Sequence, residues 1–336
     1  MGLDHRCGVH QLVWPHSLLH FRERRMNSVK IEDLRKKYGN VNALDGLNIQ
    51  VDSGSVFGFL GPNGAGKTTT LRILAGLAQA DSGSIFFGSE NTSKAGTDQK
   101  ARLGYLPEEP AFYGWMSPRE YLDYVGKIFK LEAKERQLRV DQLLEQSGLK
   151  EAAKRRIAGF SRGMRQRLGI AQALMNHPSF LLLDEPVSAL DPAGRKEVLE
   201  MIEGLSSECT VIMSSHILAD VERVCDTVGI INKGKLITQA KKQDLLDRYA
   251  IPALEITTSN GSASLMPEWK LRLEKLPAIT GVSVEGYRFH LAVKDVHTAQ
   301  QEVMQDALHY NVTFEKLEVV KPSLEDIFMQ LTGSLK

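Results

Sequence analysis

Eight consecutive residues, Gly61-Pro62-Asn63-Gly64-Ala65-Gly66-Lys67-Thr68, restrict what this chain can fold into more than any other stretch. They have the spacing of a phosphate-binding loop, a device that works only between the end of a buried strand and the start of a helix. Both flanks are present. The apolar run Val56–Leu60 reads as a short strand, and the stretch from Lys67 toward Leu77 reads as a helix. Glycine lets the backbone curl so that successive N–H groups face a phosphate, and the helix N-terminus adds its partial positive charge. Gly61, Pro62, Asn63, Gly64, Ala65, Gly66, Lys67 and Thr68 are therefore candidates for holding the phosphates of a nucleotide. In that geometry Lys67 reaches the β and γ groups, and the Thr68 hydroxyl ligates Mg2+.

A second motif supplies carboxylates. Phe180–Leu183 is wholly apolar, as strands buried on both faces are, and it runs directly into Asp184-Glu185. The C-terminal ends of such strands are where α/β folds place ligands. Asp184 is then placed for Mg2+, directly or through water, and Glu185 for the attacking water as general base. Further apolar runs at 211–213 and 228–231 continue the alternation of strands and helices, which points to a largely parallel sheet.

Between these motifs the texture is helical. Ser117-Pro118-Arg119-Glu120 has the makings of a helix start, with Ser117 as N-cap, Pro118 in the first turn and Glu120 completing a capping box. Tyr121, Leu122, Val125, Ile128 and Phe129 follow at helical spacing. A second helix carrying Leu138, Leu143 and Leu144 stops near Gly148. These residues predict a helical insert over about 115–160. Near Ala250 the pattern changes, with Pro252 and a Ser-Asn-Gly-Ser turn at 259–262. Strand-like runs at Ala253–Thr258, 282–284, 289–293 and 312–319 alternate with helical stretches near 267–276 and 296–309. That order predicts a small α+β domain of ferredoxin type over 250–336, closed by a helix from Ser323. The first domain would then span 26–248.

Composition removes several functional classes. With 336 residues the chain has room for two domains, and 42 basic against 41 acidic residues give no bulk attraction to nucleic acid, so no nucleic-acid partner is expected. No stretch reaches the ~20 apolar residues that cross a bilayer. Cys7, Cys209 and Cys225 are scattered, without metal-ligand spacing, and fit a reducing compartment. Cys225 shares a helical face with Val221 and Val224 and reads as a packing residue. Residues 1–25 carry four of the nine histidines and no period. Because Pro15 and His16 interrupt their apolar piece, they lack a signal-peptide core and read as a disordered extension or a product of start-site choice.

At this point the chain resembles a family. Phe160-Ser161-Arg162-Gly163-Met164, followed by Arg165-Gln166-Arg167, resembles the signature sequence of ATP-binding cassette (ABC) ATPases. Ser188-Ala189-Leu190-Asp191 is similar to their D-loop, Ser215-His216 to their switch histidine, and Tyr38 stands where the family stacks an aromatic on adenine. The resemblance covers about 29–240. It implies an α/β P-loop ABC core, a mostly parallel sheet with the helical insert, joined to the small C-terminal α+β domain. It also implies a head-to-tail dimer with two ATPs, each held by Gly61–Thr69 of one subunit, in which Ser161 and Gly163 of the other subunit meet the γ-phosphate, His216 senses that phosphate, and Asp191 couples the two sites. Two positions depart from the family pattern. Arg162 and Met164 replace the third and fifth residues of Leu-Ser-Gly-Gly-Gln, and Glu108 in Gly104-Tyr105-Leu106-Pro107-Glu108 replaces a glutamine. A carboxylate at 108 can still ligate Mg2+ but donates no hydrogen bond at neutral pH.

The signature, the Gly-Tyr-Leu-Pro-Glu segment and the tail Pro322-Ser323-Leu324-Glu325-Asp326-Ile327-Phe328 resemble ATPase subunits of drug, sodium or antibiotic exporters, whose permease is a separate chain. The resemblance implies a subunit at the inner face of the cell membrane. Phe112, Tyr113 and Trp115, just beyond Glu108, read either as a docking patch for such a partner or as core residues. The rival reading is a soluble ABC ATPase acting on ribosomes or nucleic acid. It is disfavoured by a single cassette with a short insert.

Overall fold

A computed structural model describes residues 28–88, 90–91, 102–248, 253–259, 266–320 and 327. The N-terminal extension, most of the turn at 259–262 and the closing helix from Ser323 lie outside the described residues, save Ile327, whose side chain is buried. The chain divides into two compact units: one runs to His216 and takes in Ile231–Leu236, and the other comprises Ile217–Ile230 and the residues from Ile237 onward.

The first unit opens with a hairpin, β1 (Val29–Tyr38) and β2 (Val41–Val51). β3 (Val56–Leu60) leads into α1 (Lys67–Leu74), and β4 (Ser82–Phe87) and β5 (Glu90–Asn91) complete an antiparallel sheet of order β2-β1-β4-β5. Next come β6 (Leu103–Leu106), α2 (Pro118–Ile128), α3 (Ala133–Gln146), α4 (Arg162–Ala173) and β7 (Phe180–Leu183). They are followed by α5 (Pro192–Leu205) and β8 (Thr210–Ser215); next along the chain come α6 (Leu218–Val224), β9 (Thr227–Asn232), β10 (Lys235–Lys241) and α7 (Lys242–Arg248), of which α6, α7 and most of β9 and β10 belong to the second unit. Within the first unit the second sheet has the order β3-β8-β7-β6. Its pairs β3–β8, β8–β7 and β7–β6 are parallel, so the sequence expectation of a mostly parallel α/β sheet holds.

Apolar runs without alternation explain the central position of β3, β7 and β8, in which every residue is buried. The core between the two sheets joins Val29, Leu34, Leu47 and Ile49 to Phe57, Phe59, Leu71 and Phe180. Phe87 of one sheet meets Phe180 of the other at 4.7 Å between ring centroids. Each fully buried side chain of this kind contributes about 1.5–3 kcal/mol.

The capping box is formed as its residues require: the Ser117 hydroxyl accepts from the Glu120 N–H at 3.4 Å, and Glu120 Oε2 accepts from the Ser117 N–H at 2.8 Å. α3 ends before Gly148, whose φ of 61° reverses the chain. Helix α1 stops at Leu74, short of Leu77, because Gly76 turns left-handed and its N–H bonds back to the Ile73 carbonyl. Cys209 and Cys225 are free and buried. Burial pushes the Cys209 thiol up to about 12.

In the second unit, β11 (Ala253–Thr258), α8 (Met266–Leu273), β12 (Ile279–Glu285), β13 (Arg288–Val293), α9 (Val296–Tyr310) and β14 (Phe314–Val320) follow in turn. The antiparallel sheet order β12-β13-β11-β14 is the ferredoxin-type arrangement. β14 begins two residues later than the run at Val312 implied, because Asn311 caps α9 in the left-handed region. Trp269 packs edge-on against Phe289 at 4.8 Å, and its indole N–H donates to Asp306 Oδ2 at 3.0 Å.

Candidate active site

Five of the candidate residues meet at the C-terminal ends of β3, β7 and β8. Where β3 ends, the chain curls through Gly64 (φ 80°) and Gly66 (φ 111°), a region that residues with a Cβ rarely enter. At Gly66 space is also short, since a Cβ would lie 2.6 Å from the Ala43 carbonyl oxygen. The Ala65 N–H closes the curl on the Pro62 carbonyl at 3.1 Å, and the Gly234 N–H pins it from outside through the Ala65 carbonyl at 2.9 Å. α1 starts without a side-chain cap, which suits an anion at its N-terminus.

Lys67 is buried and folds back over its own loop. Its Nζ donates to the carbonyls of Gly61 at 2.7 Å and Pro62 at 3.3 Å, and lies 3.3 Å from Glu185 Oε1. The other Glu185 oxygen, Oε2, is 2.8 Å from Nδ1 of the exposed His216. One carboxylate thus bridges the lysine of β3's loop and the histidine that follows β8. Glu185 itself sits at φ 47°.

Asp184 is buried beside it. Thr68 Oγ1 donates to Asp184 Oδ1 at 3.0 Å, and Ser214 Oγ donates to the same oxygen at 2.8 Å. Burial raises the Asp184 carboxyl above the usual carboxylate range, the two hydroxyls oppose this, and the neighbouring Glu185 charge adds to the rise. A carboxylate in that setting gains from a cation. Among the described residues no group of three or more His, Cys, Asp or Glu could cage a metal. Thr68 Oγ1 and Asp184 Oδ1 are a pair of hard oxygens, and this set fits Mg2+, which is held by one or two side chains with water and phosphate completing its shell.

The remaining candidates have contacts of their own. Ser161 is the exposed N-cap of α4, its Oγ accepting from the Met164 N–H at 3.2 Å, and Gly163 packs against Gly194. Asp191 is the exposed N-cap residue of α5. Exposed Glu108 lines a pocket with Arg162, Arg165 and Gln166, and its backbone carbonyl accepts from Gln166 Nε2 at 3.1 Å. Tyr38 is half exposed at the end of β1, with Lys36 Nζ 5.2 Å from its ring centre. Ser214 was not among the sequence candidates. The only signal for it was a small polar residue directly after the apolar run 211–213.

Comparison with known proteins then decides the family. The model of the ABC transporter family matches residues 44–188, and the model described as ATP-binding protein DrrA1-3-like, C-terminal domain, matches residues 240–332. The bacitracin transport ATP-binding protein BcrA of Bacillus licheniformis is 36% identical over 312 residues, covering 91% of this chain and 97% of that protein. The chain belongs to the ABC transporter ATP-binding proteins. This ABC ATPase is also 33% identical over 308 residues to the linearmycin resistance ATP-binding protein LnrL of Bacillus subtilis (strain 168), covering 91% of this chain and 98% of that one. Among solved structures it is similar to an ATP binding subunit of an ABC transporter, at 28% identity and a TM-score of 0.59, covering 66% of this chain and 92% of the other.

Proposed function

We propose that this ABC ATPase is the ATP-hydrolysing subunit of a drug or antibiotic exporter, working at the inner face of the cell membrane through a separate permease. The observation that carries the catalytic part is the meeting of Lys67, Thr68, Asp184, Glu185 and His216 within hydrogen-bonding or ion-pairing distance. The near full-length likeness to BcrA and LnrL supports the exporter part. No helix among the described residues is long and apolar enough to cross a membrane.

In this reading residues 61–69 hold the phosphates of ATP, with Tyr38 against the adenine. Lys67 Nζ leaves the Gly61 and Pro62 carbonyls for the β and γ phosphates, which frees Glu185. Glu185 then takes a proton from the attacking water as its oxygen bonds to the γ-phosphorus, while the bond from that phosphorus to the bridging oxygen breaks and ADP leaves with the electron pair. His216 holds Glu185 on one side and faces the γ-phosphate on the other. Thr68 and Asp184, with Glu108 as a further candidate, would hold Mg2+, which when bound neutralises charge on the phosphate oxygens. A second subunit, another copy of this chain, would complete each site with Ser161 and Gly163, and Asp191 would couple the pair.

Two measurements test this. The Glu185→Gln protein should dimerise in Mg-ATP and return to monomer without it in analytical ultracentrifugation; a monomer with ATP demonstrably bound would refute the shared site. Cells expressing the chain together with a permease that it powers should retain it in the membrane fraction. Co-sedimentation with ribosomes would overturn the exporter assignment and favour the rival.

A further inference from the structure

Ser214 is fully buried at the penultimate position of β8, and its single hydroxyl does two things. It donates to Asp184 Oδ1 at 2.8 Å and accepts from the Glu185 backbone N–H at 2.8 Å. The parallel register explains why it reaches both, since Leu183 pairs with Met213 and the next residues of each strand come together. We infer that Ser214 is a positioning residue of the ATPase site, holding the Asp184 carboxylate in place for Mg2+ and the Glu185 backbone in its left-handed turn. This rests on the roles proposed above for Asp184 and Glu185.

Two features make the hydroxyl more than a packing detail. The Asp184 oxygen has a second donor in Thr68, whose hydroxyl can donate its proton there while giving a lone pair to Mg2+; Thr68 therefore orients the carboxylate from the metal's side, whereas Ser214 ties it to β8 with or without nucleotide. Glu185, at φ 47°, is in a conformation that residues with side chains keep only where the surroundings enforce it. The Glu185 N–H is fixed by the Ser214 oxygen, so the direction in which the Glu185 side chain leaves the backbone depends on that bond. Groups that orient metal ligands in this way typically change activity or metal affinity by about 10–100-fold when removed.

Replacing Ser214 by Thr and by Val tests the idea, because these side chains share a shape and differ in the hydroxyl. Both full-length variants would be assayed for turnover and, by calorimetry, for ATP affinity with Mg2+ and with EDTA. Ser214→Val should turn over at least tenfold more slowly than Ser214→Thr and lose most of the affinity that Mg2+ adds, while ATP affinity in EDTA stays within about twofold. Ser214→Ala, which adds no bulk, should behave as the Val variant. Equal turnover and equal Mg2+ dependence in Thr and Val would overturn the inference. So would a Val variant that loses affinity alike in Mg2+ and in EDTA, since that marks a general loss of the site. Glu185→Gln separates the two levels: full turnover in that variant removes the proposed base itself, whereas an inactive Glu185→Gln beside identical Thr and Val variants removes only Ser214.

Discussion

Lys67 Nζ stands 3.3 Å from Glu185 Oε1, and both side chains are almost sealed from solvent. The ammonium that should meet the nucleotide is thus committed to the residue that should activate water. In the proposed mechanism each holds the other until phosphate arrives. Lys67→Ala is therefore expected to remove ATP binding and also to leave a buried carboxylate without its cation, a loss of about 3 kcal/mol or more. Adding Glu185→Gln should recover most of that stability and none of the binding. Urea unfolding and calorimetry on the single and double variants check this; additive stability losses would contradict the pairing.

Glu185→Gln alone should bind ATP nearly as the wild type does while turning over roughly 10²–10⁴ times more slowly, the usual worth of a positioned general base. Single-turnover hydrolysis in the permease-bound protein measures it. Retention of most of the rate would exclude Glu185 as the base.

The aromatic segment beyond Glu108 divides between the two fates the sequence left open. Phe112 is half buried, edge-on to Tyr121 at 5.1 Å, whereas Tyr113 and Trp115 are 50% and 68% exposed, and Tyr113 meets Tyr124 at 6.0 Å. Tyr113→Ser with Trp115→Ser should shift the protein from the membrane fraction toward the soluble one with ATP binding intact. An anchor buried centrally in an interface contributes about 2 kcal/mol or more, on the order of thirtyfold in affinity. Phe112→Ser should instead lower the melting temperature of the first unit. Membrane retention of the double variant at wild-type level would rule out the patch as the handle.

Ser117→Ala should lower the melting temperature by roughly 2–4 °C, the usual effect of losing an N-cap in a domain of this size. The Ser117 N–H and hydroxyl hold the Glu120 carboxyl below its ordinary range. A depressed acid stabilises above its unfolded pKa and loses that contribution as pH falls through the folded one. The difference between wild type and variant should therefore shrink in acid. A gap constant from neutral pH to pH 3 would show that Glu120 plays no part.

Much of this architecture was legible because it is local. The strand, loop and helix around Gly61 to Lys67 and the capping box at Ser117 are each written within a few residues, and the structure has them where the spacing put them. The antiparallel sheet was not legible, since its pairing of Val29 with Phe87 joins segments separated by a whole loop and helix. The same is true inside the site. Asp184 and Glu185 stood out as carboxylates after an apolar strand, but nothing near Ser214 says that its hydroxyl will face both; that follows from the β7–β8 register alone. The Lys67–Glu185 pair is likewise a product of strand order.

The contrast between Trp115 and Trp269 gives this protein two optical reporters. Trp269 is enclosed by Phe289, Phe314 and the Asp306 carboxylate, so its emission should be blue-shifted and shielded from a dissolved quencher such as iodide. Trp115 stands in water at the aromatic patch, and its emission should be red-shifted and readily quenched. In a Trp14→Phe background, iodide accessibility would follow Trp115 while the protected fraction follows Trp269. Engagement of a partner over the patch would then appear as a loss of quenching, recorded in solution without any added label.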